Sequence, residues 1–217
     1  MKLVIDIETI PSQKAGLLEE IRATIAPPGN ISKPESIAKW MEENADTSAQ
    51  ETYRKTALNG SQGEIICIGW SIDNRPVESM IRHLDEPEHY LLKSFYSRFE
   101  VEYVETIIGH NLIAFDARFM FQRSVINGVH PSFNLHNDTR YSGGLVFDTM
   151  TAWAGWGNRI SLKNLCSALN IEVKQGDITG ANVWDAVQAG RYDEIAEYCR
   201  QDVEATRAAY KRMTWQD

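Results

Sequence analysis

Residues 2–8, KLVIDIE, constrain the fold more than any other stretch. The run is short, β-branched and closed by polar residues, which is the pattern of a buried strand. Yet it carries Asp6 and Glu8, and on a strand that spacing puts both side chains on one face. Two carboxylates held together in an apolar setting repel, and at least one pKa rises unless a cation compensates. Hard divalent ions such as Mg²⁺ take oxygen ligands, so the pair suits a metal. Taken alone, a D-x-E also fits a solvated strand end.

The rest of the chain supplies partners for such a strand. Residues 64–72 (EIICIGWSI) read as a second strand, Asn74 and Arg75 as a turn, and 76–82 as a third strand paired with the second. Residues 87–101 show helical spacing through Leu91, Leu92, Phe95 and Phe99. Residues 105–109 read as a short strand. Residues 114–126 are helical through Phe115, Phe119, Met120 and Val125, with Gly128 as the stop. Ser161 caps a short helix over 161–169, and 191–213 is the longest helical pattern. Its acids Asp193 and Glu194 stand first and Lys211 and Arg212 last, as the helix dipole favours. The polar stretch 11–62 holds four prolines and helical pieces near 13–25 and 34–58. It reads as an insertion after the first strand: a lid, a substrate-guiding arm, or a surface elaboration without a chemical role. The whole predicts an α/β fold, a mixed sheet flanked by helices.

With 217 residues, 43% of them hydrophobic, the chain suffices for one sizeable core, so a single domain over 1–217 is expected. No apolar run is long enough to span a bilayer, and the first residues do not read as a signal peptide. Cys67, Cys166 and Cys199 lie far apart in apolar neighbourhoods, which suggests small buried side chains and a reducing cytoplasm. The net charge of −8 argues against coating nucleic acid over the whole surface. It leaves room for a site that grips one chain end, where metal ions supply charge.

Two later segments carry acids that need explaining. Tyr198 and Asp202 are four apart on the last helix, on the face continued by Ile195, Ala205 and Ala209. An acid on that stripe needs a partner, either a metal or a hydrogen-bonding or charged neighbour. Asn111–Asp116 (NLIAFD) follows a strand and opens a helix, where Asp116 also fits the helix N-terminus electrostatically.

In combination and in order, these segments resemble a known family. An early D-x-E (Asp6, Glu8), a central N-x-x-x-F-D (Asn111, Phe115, Asp116) and a late Y-x-x-x-D (Tyr198, Asp202) look like the three motifs of DEDD-type 3′→5′ exonucleases. The tyrosine marks the DEDDy subgroup; the histidine of the other subgroup would stand where Glu197 is. The central and last motifs look most like the proofreading domain of family-B DNA polymerases. The nearest resemblance is to stand-alone bacterial and phage proteins described as exonucleases related to that domain. Its anchors are residues 3–9, 108–121 and 191–207.

The resemblance implies a ribonuclease H-like sheet with the first strand central and the last helix laid across it. It implies two divalent ions, Mg²⁺ or Mn²⁺, roughly 4 Å apart, acting on an in-line displacement. By that analogy Asp6 bridges both ions, Glu8 and Asp202 complete the nucleophile-side ion, and Asp116 holds the other directly or through water. Tyr198 would orient the attacking water. Thr9 would reach the terminal sugar and Phe115 would stack near the end base, or simply pack in the core. Asn111 would touch substrate or make a loop hydrogen bond.

The implied partner is nucleic acid, with single-stranded DNA 3′ ends favoured over RNA and a replication or repair protein as a further candidate. A binding module without catalysis would be expected to have lost one of the four acids. An aspartyl-phosphate phosphatase would need aspartate where Glu8 stands. Asp148 reads as the cap of a following helix, His110 as packing, and His83, His89, His130 and His136 show no ligand spacing. Gly143-Gly144 shows no phosphate-cradle pattern. Arg54, Lys55, Arg118, Arg123, Arg159, Lys163 and Arg207 read as solvated surface or as phosphate contacts.

Overall fold

The computed structural model describes residues 1–101, 103–135, 146–173 and 176–216; His136 and the Gly143-Gly144 pair lie outside them. The elements run β1 (Lys2–Ile10), α1 (Leu17–Thr24), α2 (Pro34–Lys55), a 3-10 turn at Thr56–Leu58, β2 (Glu64–Ile72), β3 (Glu78–Ile81), α3 (Glu88–Ser97), β4 (Thr106–Gly109) and α4 (Asp116–Asn127). They continue with β5 (Val146–Asp148), α5 (Thr149–Ala154), α6 (Leu162–Ala168), α7 (Val183–Gln188) and α8 (Tyr192–Met213). The sheet order is β3-β2-β1-β4-β5, so the acid-bearing strand is central. β1–β2 and β2–β3 are antiparallel, while β1–β4 and β4–β5 are parallel. This is the mixed sheet flanked by helices that the patterning predicts.

The two faces of β1 divide the core. Leu3, Ile5 and Ile7 pack with the buried residues of α3 and α4: Leu91, Leu92, Phe95, Phe119 and Met120. On the opposite face Val4 meets Val203 and Tyr210 of α8, and Ile10 meets Ile195 and Cys199. Asp6 and Glu8 alternate with Ile5 and Ile7, so they belong to the α8 face. Gly69 pairs with Asp6 and seats that helix. A Cβ there would lie 2.8 Å from Cys199 Sγ and 3.1 Å from Val203 Cγ2, so only glycine allows α8 this close.

Opposite the end of β1 the register slips between Glu8 and Thr9, leaving one extra residue on β2. Such bulges re-aim side chains and free backbone groups. Here charged side chains meet those groups. Ile65 N–H donates to Glu88 Oε1 (2.7 Å), and Ile65 O accepts from Arg82 Nε (2.8 Å). Glu88 in turn takes Arg123 through Nε and Nη2. Arg123 is therefore buried and ion-paired, neither solvated nor free for phosphate. That pairing turns α4, so Val125 is 66% exposed while Arg123 and Ser124 face inward, against the expectation for Val125.

Between β1 and β2, α1 buries no residue and α2 buries only Ala45 and Ala49. This segment is tied at its base. Tyr53 hydroxyl donates to Ser12 O (3.0 Å), Thr9 hydroxyl to Ala57 O (2.8 Å), and Arg54 holds Asp185 of α7 through both terminal nitrogens. β5 and α7 have no counterpart among the predicted elements, being three and six residues long and too short to show a period, while α5 is the helix that the Asp148 cap announces. Among the described residues no helix is long and apolar enough to cross a membrane. The three cysteines are buried and free, as expected.

Candidate active site

The site gathers at the end of β1 that projects beyond β4. β4 pairs with β1 only through Lys2, Leu3 and Val4. Beyond them a side chain takes over the strand's backbone: Ile7 N–H donates to Asp116 Oδ1 (3.1 Å). Asp116, first residue of α4, is thereby locked against the strand carrying Asp6 and Glu8. From the other side α8 brings Tyr198 and Asp202, one turn apart, with the Tyr198 phenol beside the Asp202 carboxylate and each shifting the other's pKa. Asp6, Glu8 and Cys199 offer ligand atoms that all lie within 4.8 Å of one another. Cys199 Sγ lies 3.6 Å from both Asp6 O and Asp6 Oδ2.

The electrostatics are those of a cluster of like charges. Burial, then repulsion from Asp116, Glu8 and Asp202, holds the Asp6 carboxyl well above its usual range. Burial and the Asp202 charge do the same for Glu8. Asp116 is pushed up to about 7 by burial, against the Ile7 hydrogen bond, and Asp202 to about 6 by burial, against the one from Tyr198. Burial and the neighbouring acids raise the Tyr198 phenol as well, so it stays a hydrogen-bond donor at neutral pH. Among the described residues none of the four acids is ion-paired. Desolvated carboxylates of one sign are stable together when a cation supplies the missing charge. Oxygen donors of this kind suit Mg²⁺ or Mn²⁺.

The remaining candidates surround this cluster. Thr9 follows the acids, its hydroxyl engaged with Ala57. Phe115 is half-buried; it packs on Phe119, with ring centroids 5.5 Å apart, and lines a groove with Leu58 and Arg118. Asn111 adopts a left-handed backbone (φ 61°), and its buried Oδ1 has no hydrogen-bond partner among the described residues. Asp148 does more than cap. Its carboxylate accepts from Met150 and Thr151 at the start of α5 and also from Asn111 N (3.0 Å) and Ile113 N (3.1 Å). It therefore fixes the loop that delivers Asp116, and it is near enough to raise the Asp116 pKa. His110 is more than packing: Nδ1 bonds Thr149 Oγ1 and Nε2 bonds Ile160 O, each at 2.9 Å. Of the basic candidates, Arg54 is engaged with Asp185, and Arg207 donates to Ser71 Oγ and Arg75 O. Arg118 lines the Phe115 groove and Arg159 the cavity beside Asn111.

Sequence reasoning missed Cys199 beside Asp6 and the loop-holding role of Asp148. For Cys199 the available signal is its place next to Tyr198 on the helix face that meets β1. For Asp148 it is the strand–aspartate–helix order, too short to read without the neighbouring strand.

Known proteins share this architecture. Over 97% of this chain the fold superposes on a family B DNA polymerase from the hyperthermophilic archaeon Pyrobaculum calidifontis, with a TM-score of 0.60 and 14% identity. The superposition covers 24% of the polymerase chain, so the chain spans about a quarter of that protein's length. The mixed five-stranded sheet flanked by helices is thus a fold that recurs within a family B DNA polymerase. An uncharacterized protein of Methanocaldococcus jannaschii is 29% identical over 165 residues, covering 72% of this chain and 89% of the relative. Residues 64–216, which hold Asp116, Tyr198 and Asp202, match a family described as a predicted 3′-5′ exonuclease related to the exonuclease domain of PolB. The D-x-E strand precedes the matched segment, yet the fold sets it against the other motifs. By that match, the chain belongs to the family of predicted 3′-5′ exonucleases related to the PolB exonuclease domain.

Proposed function

We propose that the protein is a 3′→5′ exonuclease that hydrolyses phosphodiester bonds at single-stranded DNA ends and releases nucleoside 5′-monophosphates. One observation carries the reading: Asp6, Glu8, Asp116 and Asp202, from three distant segments, converge in a largely desolvated cluster that no arginine or lysine among the described residues neutralises. Asp6, Glu8, Asp116 and Asp202 would hold two divalent ions, Mg²⁺ or Mn²⁺. Bound there, the ions supply positive charge for the phosphate and the leaving 3′ oxygen and lower the pKa of water.

The protein groups then have separate tasks. Tyr198, raised in pKa and aimed at Asp202, orients the attacking water by hydrogen bonding. Thr9 meets the terminal sugar, because its oxygen keeps a lone pair after donating to Ala57. Phe115 supports the end base, and Asn111 accepts from the strand with Oδ1, which has no partner among the described residues. Residues 1–217 form one exonuclease domain in which 11–62 is an arm beside the site. The three reduced thiols fit a cytoplasmic setting. A replication or repair protein would supply the pathway.

The test uses 5′-labelled single-stranded DNA and RNA of one sequence, with Mg²⁺, Mn²⁺ or chelator. The expected result is a metal-dependent ladder shortening from the 3′ end, faster on DNA. A faster RNA ladder replaces the sugar assignment. No ladder on either strand, or an Asp6→Ala variant as active as wild type, ends the catalytic reading.

A further inference from the structure

We propose that Trp153, Trp156 and Arg159 form a platform on which the single strand lies as it enters the carboxylate site, with Asn111 at its inner end. The proposal rests on the exonuclease reading for the identity of the strand. Its physical basis is separate and begins with charge. In a chain of net charge −8, residues 149–171 contain no aspartate or glutamate, yet carry Arg159 and Lys163. Both bases are exposed. A polyanion finds there what most of this surface lacks.

The aromatic component is held outward by backbone geometry. α5 closes with Gly155 N–H donating to Thr151 O (3.0 Å). Gly155 and Gly157 both take φ 82°, a region that side chains with a Cβ rarely adopt. The reversal between them projects Trp156, which is 66% exposed, and Trp153 on the preceding turn is 46% exposed. Large aromatic faces of this kind are stacking surfaces for bases, worth about 1–3 kcal/mol per base when truncated to alanine.

The platform is rigidly joined to the site. Asp148 grips the start of α5 with one oxygen and the 111–113 loop with both. His110 bridges Thr149 and the carbonyl of Ile160, one residue past Arg159. Between them lies a cavity of about 450 Å³ lined by His110, Asn111, Met150, Arg159, Ile160 and Ser161 among others. Asn111 Oδ1 is the buried side-chain atom without a partner among the described residues. An unmet buried acceptor is unfavourable, and an N–H of a nucleobase would relieve it. The proposed platform thus offers a strand aromatic faces and a cation on the segment that His110 and Asp148 tie to the loop before Asp116.

Binding is measured by anisotropy with 5′-labelled dT16 and dT3 in chelator, where turnover is absent. Wild type is expected to hold dT16 at least tenfold tighter than dT3. Trp153→Ala/Trp156→Ala should weaken dT16 binding by about tenfold or more, from the stacking energies above. The Phe/Phe variant, which keeps an aromatic face, should stay within about threefold of wild type. Arg159→Ala should lower the slope of log Kd against log salt by about 0.7, one phosphate contact on a single strand. Equal binding by the Ala/Ala variant, equal loss in the Phe/Phe variant, or a wild type blind to oligonucleotide length would each overturn the platform. These readouts do not use catalysis, so they fail independently of the cleavage assay above.

Discussion

Two groups of buried acids lie at this end of the sheet, and they are treated in opposite ways. Glu88 is buried with Arg123 on one side and the Ile65 N–H on the other, and Glu64 pairs with buried Arg82. Asp6, Glu8, Asp116 and Asp202 have each other, the Ile7 N–H and the Cys199 thiol, and among the described residues no arginine or lysine. The first group is a closed electrostatic unit that holds the bulge opposite Glu8. The second is an open one, raised in pKa throughout. A buried acid with its arginine is a structural element, whereas a buried acid cluster without one is a receptor for charge from outside.

Substitution should separate the groups most sharply. Asp6→Asn keeps the shape and removes a repelling charge. Nuclease activity should fall by roughly 10³-fold, the scale on which charge-stabilising groups act in catalysis, while thermal stability without metal holds or rises. A calorimetric scan beside the ladder assay decides it; a destabilised Asp6→Asn would mean the open cluster is structural after all.

Glu88→Ala should do the reverse. Stranding Arg123 in the interior costs about 3–5 kcal/mol, or a Tm roughly 10 °C lower for a chain of this size. Denaturant titration measures it, and a loss under 1 kcal/mol would remove the distinction between the groups.

The third test uses pH. The Asp116 and Asp202 carboxyls lie near 7 and 6 in the fold, above the ordinary 3.8. Below about pH 4 both are protonated, folded or unfolded, and their burial as anions costs nothing. As pH rises toward 7 the unfolded chain releases protons that the native site retains, so stability falls, and the full cost is present above 7. The metal-free protein should therefore lose several degrees of Tm between pH 5.5 and 8. Mn²⁺ should restore them at pH 8 and do little at 5.5, and Asp6→Asn should flatten the profile. A metal effect that is equal at both pH values contradicts the open-cluster description.

The smallest effect concerns the strand the two groups share. β2 meets Glu88 through Ile65 and seats α8 through Gly69. Gly69→Ala should push Cys199 and the rest of α8 outward by a few tenths of an ångström. Activity should drop about tenfold through misplacement of Tyr198 and Asp202, with the Glu88 unit intact. Unchanged turnover would show that the helix position is not critical.

Much of this was legible in the chain. The strands at 2–8 and 64–72, the helices around Leu91 and Phe119, and the long terminal helix show their period plainly because each buries one face over many residues. The Gly128 stop is equally plain, and the structure gives that residue φ 64°. β5 is invisible because three residues carry no period, and α5, at six, shows only through its Asp148 cap. Val125 was misplaced because a hydrophobic pattern cannot foresee that Arg123 will turn inward to reach Glu88. Cys199 was read only as a small buried side chain, since nothing local signals that its sulfur meets Asp6.

The sequence by itself determined which residue types could gather: carboxylates on a strand, at a helix start and on a helix face, in an order that resembles one enzyme family. Local periodicity sets those positions, and local periodicity is written in the chain. Only the tertiary structure decided that, among the described residues, these acids meet no arginine or lysine while Glu88 and Glu64 do. Charge compensation depends on which arginine reaches which cavity, and that is a property of packing between segments rather than of any segment.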